Sequence, residues 1–187
     1  MDIKKIMGLP DPSDKLEPPM RMIRYSGLFD FDGLYSAMID WAKNYGYMWH
    51  EIDYKHKVPS PKGAEQEWKW VMTKEVNDYV HFRVFIQAHV WNLTEMEVEV
   101  DGKKKVLSSG NMHIQMKGTV TYDWQSKFSG GWFSELLGSF YAKAHERDVA
   151  NYWDTLHYRM YNLHAIIKKF FDMQTAKHPY KGYLGEN

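Results

Sequence analysis

The chain has 187 residues, with 24 Lys plus Arg, 24 Asp plus Glu and no cysteine. The balanced charge excludes a global field that would attract a polyanion, and the lack of cysteine excludes disulfides, a thiolate nucleophile and cysteine-ligated metal sites. A hydrophobic fraction of 44% and an aromatic fraction of 16% predict a folded protein rather than a disordered one.

Proline content divides the chain into an arm and a domain. Four prolines lie within the first twenty residues, a composition that disfavours both helices and the hydrogen-bonded strands of a β-sheet. We therefore expect an extended, proline-rich N-terminal arm at 1–20, a single α+β domain at 21–175 and a C-terminal tail at 176–187. No apolar run is long enough for a signal or a membrane span, which favours a soluble, cytoplasmic protein.

The domain is predicted to begin with a strand and a helix. Met22–Phe29 has β-type residues, and apolar residues then recur at helical spacing from Phe31 to Tyr45. Asp30 or Asp32 can cap the start of this helix, and Gly46 can end it in a left-handed conformation.

From Tyr47 the apolar period changes to two, which predicts about five antiparallel strands with one buried face. The strands are predicted at Tyr47–Val58, Glu65–Val76, Val80–Val90, Thr94–Val100 and Asn111–Trp124, with turns at Pro59–Gly63, Asn77-Asp78 and Asp101-Gly102. In the first strand the inward residues are predicted to be Met48, Ile52, Tyr54 and Val58. Gly118 interrupts the apolar side of the last strand, where a bulge or a close helix approach is expected.

A long helix is predicted from Trp132 to Gln174. From Val149 onward its apolar residues recur at alternating steps of four and three, which makes one continuous stripe. An earlier stripe through Phe133, Leu137, Phe140 and Ala144 loses phase with it across His145–Asp148, so any kink is expected there. This helix is the only predicted element long enough to cover the sheet. The predicted fold is α+β, an antiparallel meander packed on a long C-terminal helix.

This order of elements, over about Arg21 to Gln174, resembles the helix-grip fold of the START-like superfamily, which includes polyketide cyclases, plant allergens and lipid-transfer domains. The resemblance implies an apolar ligand held between the sheet and the C-terminal helix, and in a minority of members acid/base chemistry there.

Candidate ligand-binding residues are those predicted to lie between the sheet and the helix, with two histidines of the first meander strand. They are Trp68, Trp70, Phe82, Val84, Met112, Met116, Met160, Leu163, His50 and His56. Each histidine could orient a ligand or transfer a proton, or could be a strand residue with a backbone partner. We assign no catalytic residue, because an enzyme would need one of these histidines beside a carboxylate at an open cavity.

The other histidines do not indicate a metal or a cofactor. His81 and His89 lie on the outward face of one strand, about 26 Å apart, so they cannot share one ion. No phosphate-binding loop is present, and nothing indicates a nucleic-acid partner.

Two hypotheses about function remain. The first is a non-enzymatic binding domain that holds an apolar small molecule or lipid between the sheet and the C-terminal helix. The alternative is a structural or interaction protein that docks into a larger cellular or viral assembly, as a homo-oligomer or with a protein partner, through the arm and exposed aromatic residues. Phe85 and Trp91, on an otherwise polar strand face, are the candidate interface residues.

Overall fold

The structure is a computed structural model that describes residues 15–61, 63–100, 103–128, 130–144 and 146–171. These residues form an antiparallel β-sheet and three helices. The elements are β1 Lys15–Leu16, β2 Arg21–Phe29, α1 Phe31–Asn44, β3 Met48–Ser60, β4 Gly63–Glu75, β5 Val80–Val100, β6 Lys103–Tyr122, α2 Trp132–Ala144 and α3 Glu146–Phe170. This confirms the predicted α+β class, with an antiparallel sheet and a helix at the C-terminal end of the domain. Most of the predicted arm, the Asp101-Gly102 turn, Lys62 and the C-terminal tail lie outside the described residues.

The six strands belong to one sheet, in which β3, β4, β5 and β6 follow chain order. At its other edge β6 pairs with both β2 and β1. The pairing with β1 joins Lys15 to Thr121 and Leu16 to Val120. The last part of the predicted arm thus lies along the edge of the sheet.

β5 merges two of the predicted strands. Its register with β6 shifts between Trp91 and Thr94, and Asn92 adopts a φ of 57°. This local irregularity is a bulge, which bends a strand without ending it. The segments predicted as Val80–Val90 and Thr94–Val100 are therefore one continuous strand.

The burial predicted for one face of β3 is wrong. Met48, Ile52 and Tyr54 are all largely exposed, Met48 by 65%. Instead Trp49 packs on Trp70 with the ring centroids 5.4 Å apart, and Oε2 of Glu51 accepts a hydrogen bond of 3.0 Å from Nε1 of Trp70. The inner side of this strand therefore combines an aromatic ring with a carboxylate.

A bulge in β3 explains the error at Met48. Tyr54, beyond the bulge, pairs with the buried Trp68 and lies on the inner side, but it remains exposed because β3 is an edge strand. Glu51 pairs with Trp70 in β4, whereas Asp53 pairs with the next residue back, Lys69. One extra residue therefore lies in β3 between these two pairs, and a shift of one residue reverses which side chains face inward. An alternation read straight through the bulge cannot be correct on both sides of it.

The predicted ends of α1 are confirmed. Oδ1 of Asp30 accepts a hydrogen bond of 2.9 Å from the Gly33 amide, which satisfies one of the open donors of the first turn. After the last turn, Gly46 adopts a φ of 71°, in the left-handed region that glycine tolerates best.

α3 packs on the sheet through the predicted stripe, of which Leu156, Met160, Leu163 and Ile167 are buried. A Cβ added at Gly118 of β6 would overlap Sδ of Met160 and lie 3.2 Å from Cδ2 of Leu156. Of the two outcomes expected at Gly118, the close helix approach is therefore the one found. The predicted long helix is described as α2 and α3, and residue 145 between them lies outside the described residues. No helix of the described residues is long and apolar enough to cross a bilayer.

Candidate ligand-binding site

The apolar residues predicted to bind a ligand lie together in the hydrophobic core. Each is at most 1% exposed: Trp68, Trp70, Phe82, Val84, Met112, Met116, Met160 and Leu163. His50 and His56 are exposed on β3 and do not join this cluster. On β5, Phe85 is half-buried and Trp91 is exposed, and the residues that alternate with them are buried in the core.

A cleft of about 400 Å³ opens at the end of the sheet where β4 turns into β5. We name it the tyrosine cleft, and its lining residues are Asn77, Asp78, Tyr79, Val80, Tyr122, Tyr141, Asp148 and Tyr152. They come from the β4–β5 turn, the start of β5, the end of β6, α2 and α3. The volume falls within the range of about 300 to 1,000 Å³ that is typical of small-molecule sites.

The side chain of Asn77 positions one wall of the tyrosine cleft. Its Oδ1 accepts hydrogen bonds from the amides of Tyr79 (2.9 Å) and Val80 (2.7 Å), and its Nδ2 donates to the Tyr152 hydroxyl at 3.0 Å. Its backbone carbonyl accepts a hydrogen bond of 3.0 Å from Nε1 of Trp124. A side-chain-stabilised turn of this kind suits asparagine, and here it also ties the turn to α3.

A second wall depends on Asp123, just after β6. This buried carboxylate accepts hydrogen bonds from the amides of Lys127 (2.8 Å) and Phe128 (3.0 Å), which folds the loop back on itself. The Phe128 ring then lies 6.2 Å from the Tyr79 ring and 5.7 Å from the Tyr141 ring. The loop thereby packs against the rings of Tyr79 and Tyr141.

The Tyr122 hydroxyl in the tyrosine cleft holds its proton more tightly than a free phenol does. Burial, with smaller contributions from Tyr79 and Tyr152, raises the pKa of Tyr122 well above its ordinary value. This phenol therefore stays neutral near pH 7 and does not act as a base there. Within the described residues no three potential ligands come close enough together to hold a metal ion.

A further cleft of about 440 Å³ lies between α1 and α3. Its lining residues are Ala37, Asp40, Trp41, Asn44, Tyr45, Asn162 and Ile166. Fewer elements contribute to it, and its polar groups are spread along two helix faces. We therefore take the tyrosine cleft as the candidate site.

None of the residues of the tyrosine cleft is among the ligand-binding residues predicted from the sequence. The predicted hairpin turn could have indicated part of the cleft. In the structure the first residue of β5, Val80, pairs with the last residue of β6, Tyr122. A hairpin turn at Asn77-Asp78 therefore brings the following tyrosine beside the end of β6. The approach of Tyr141 and Tyr152 depends on how α2 and α3 meet, which no local pattern gives.

No protein-family model matches this chain, and a search of curated proteins finds no match either. The fold and the geometry of the site therefore carry the functional argument.

Proposed function

We propose that this protein is a non-enzymatic binding domain that holds a small molecule in the tyrosine cleft. The observation that carries the proposal is the convergence of four tyrosine rings, from separate elements, around a cavity of about 400 Å³. Ligand sites are typically concave and lined by apolar and aromatic groups, with a few polar groups that fix orientation. The carboxylates of Asp78 and Asp148 supply such polar groups.

The position of the cleft suits a domain of helix-grip type with a partly apolar ligand. It lies at one end of the layer between the sheet and α3, the region in which helix-grip proteins hold ligands. The buried ring of Phe82 lies 6.3 Å from the Tyr152 ring, so the hydrophobic core packs behind this wall of the cleft. The apolar body of the ligand is proposed to rest on the tyrosine rings that line the cleft.

Binding in the tyrosine cleft is tested by NMR with a library of small apolar and amphipathic compounds. We expect binding compounds to shift the backbone amide signals of Tyr79, Val80 and Tyr122. Tyr141→Trp should weaken these shifts by filling part of the cavity, whereas Tyr158→Trp, on an exposed part of α3, should leave them unchanged. Binding that shifts only amides elsewhere, or no binding at all, would contradict the proposal.

A second candidate function is assembly, and the exposed face of α2 favours it. The buried residues of α2 are Gly138, Ser139 and Ala142. Four of its large side chains point away from the domain and are between 45% and 72% exposed, namely Trp132, Phe133, Leu137 and Phe140. Together they present roughly 500 Å² of apolar surface, a size typical of the largest patches on monomers, which are often functional.

Assembly through α2 is proposed to begin with a second copy of the chain, because two such faces would cover each other. The wild-type protein should then form dimers whose fraction rises with concentration in sedimentation experiments. Leu137→Glu should yield monomers by placing a charge in the contact, whereas the exposed control Tyr158→Glu should dimerise normally. A wild-type protein that stays monomeric at high concentration would rule out this assembly.

A further inference from the structure

Negative charge borders the tyrosine cleft. Two of its lining residues, Asp78 and Asp148, carry carboxylates, and none of the described lining residues is a lysine or an arginine. Nζ of Lys127 lies 3.1 Å from Oδ2 of Asp78, but both side chains are well exposed, so this pair is weak. No described residue forms an ion pair with Asp148. The rim therefore favours a positively charged group.

The rings of the cleft are arranged around Tyr79. The Tyr141 ring lies 5.0 Å from it at an interplanar angle of 69°, and the Tyr122 ring lies 5.9 Å from it at 45°. Rings tilted in this way present faces from different directions instead of forming one flat stack. The face of an aromatic ring is negative and attracts a cation within about 6 Å of its centroid.

From these two features we infer that the tyrosine cleft binds an organic cation, with a quaternary ammonium group held among the tyrosine rings and the two carboxylates at its rim. This inference rests on the proposed binding function and names its ligand class. A quaternary ammonium group is weakly hydrated and donates no hydrogen bond, so ring faces can replace its water without leaving a donor unsatisfied. An anion would meet the carboxylates, and a neutral ligand would gain nothing from them.

The test compares choline with its neutral isostere, in which a tert-butyl group replaces the trimethylammonium group. The two molecules have nearly the same shape, so a difference in affinity reports the charge. In calorimetric titrations we expect choline to bind at least about tenfold more tightly than the isostere. We also expect its affinity to fall as salt is added.

Four variants locate the effect. Tyr141→Leu keeps an apolar side chain but removes the ring face, and should weaken choline binding by about tenfold. Tyr141→Phe keeps the ring face and should retain most of the affinity. Tyr158→Leu, on an exposed part of α3, is the matched control and should bind choline like the wild type. Asp148→Asn is expected to weaken binding a few-fold and to reduce its dependence on salt.

The outcomes separate this inference from the proposed function. If choline and the isostere bind with equal affinity and both shift amide signals of the cleft, the inference of a cation site is wrong, but the proposed binding function stands. If choline shifts no amide of the cleft, the inference is wrong, and the compound library then decides the proposed function. Vesicles identify the source of the group: binding to phosphatidylcholine as well as choline indicates a lipid headgroup, choline alone indicates a free metabolite, and a preference for phosphatidylglycerol contradicts a cation site.

Discussion

Replacement of Trp70 by alanine is expected to lower the free energy of unfolding by about 3–5 kcal/mol. Trp70 is fully buried in β4, and its ring packs against those of Tyr35 at 4.6 Å and Trp49 at 5.4 Å. The substitution removes a large apolar group and leaves a cavity between α1 and the sheet. It also takes away the indole donor to Glu51. Urea denaturation followed by circular dichroism measures the loss.

The matched control for this substitution is Trp132→Ala. Trp132 is 72% exposed at the start of α2, so its removal should change the free energy of unfolding by no more than about 0.5 kcal/mol. The same amino acid is deleted in both variants, and only burial differs. If the two variants lost equal stability, the aromatic cluster that joins α1 to β3 and β4 would not be packed as described.

The alternation of apolar and polar residues predicted the buried face correctly where a strand keeps one register. In β4, the alternation that placed Trp68, Trp70 and Met72 inward agrees with their burial, since every pair with β5 from Gln66 onward is regular. In β3 the same reasoning failed. Just before the bulge, Glu51 and Trp49 contact Trp70, which is distant in sequence, so a local pattern does not show where the register changes.

The candidate site was less accessible to sequence reasoning than the fold. Its tyrosines lie in a turn, at the end of a strand and on two helices, and a local pattern gives no distance between such elements. The sequence also shows an apolar stripe on α2 without showing which way it faces. In the structure Gly138, Ser139 and Ala142 form the buried face, because small side chains let the helix approach the domain closely. The large residues of the stripe point outward.

Gly118→Val is the second substitution with a large expected effect. The added side chain would overlap Sδ of Met160 and press against Leu156, where α3 lies directly on β6. Overpacking of this kind costs about 1–3 kcal/mol, and here two buried side chains of α3 would have to move together. We expect a lower midpoint in urea denaturation with little change in slope, because the surface exposed on unfolding stays nearly the same.

Gly130→Val is the control, since the nearest atom to a Cβ at Gly130 is Oγ of Ser134 at 3.8 Å. This exposed position should tolerate the substitution within about 0.5 kcal/mol. The comparison also bears on function. If Gly118→Val were as stable as the wild type, the space between α3 and the sheet would have to be open at its centre, and a ligand could lie among the core residues. A clear loss of stability instead means that this centre is filled, which leaves the tyrosine cleft at the end of the layer as the place for a ligand.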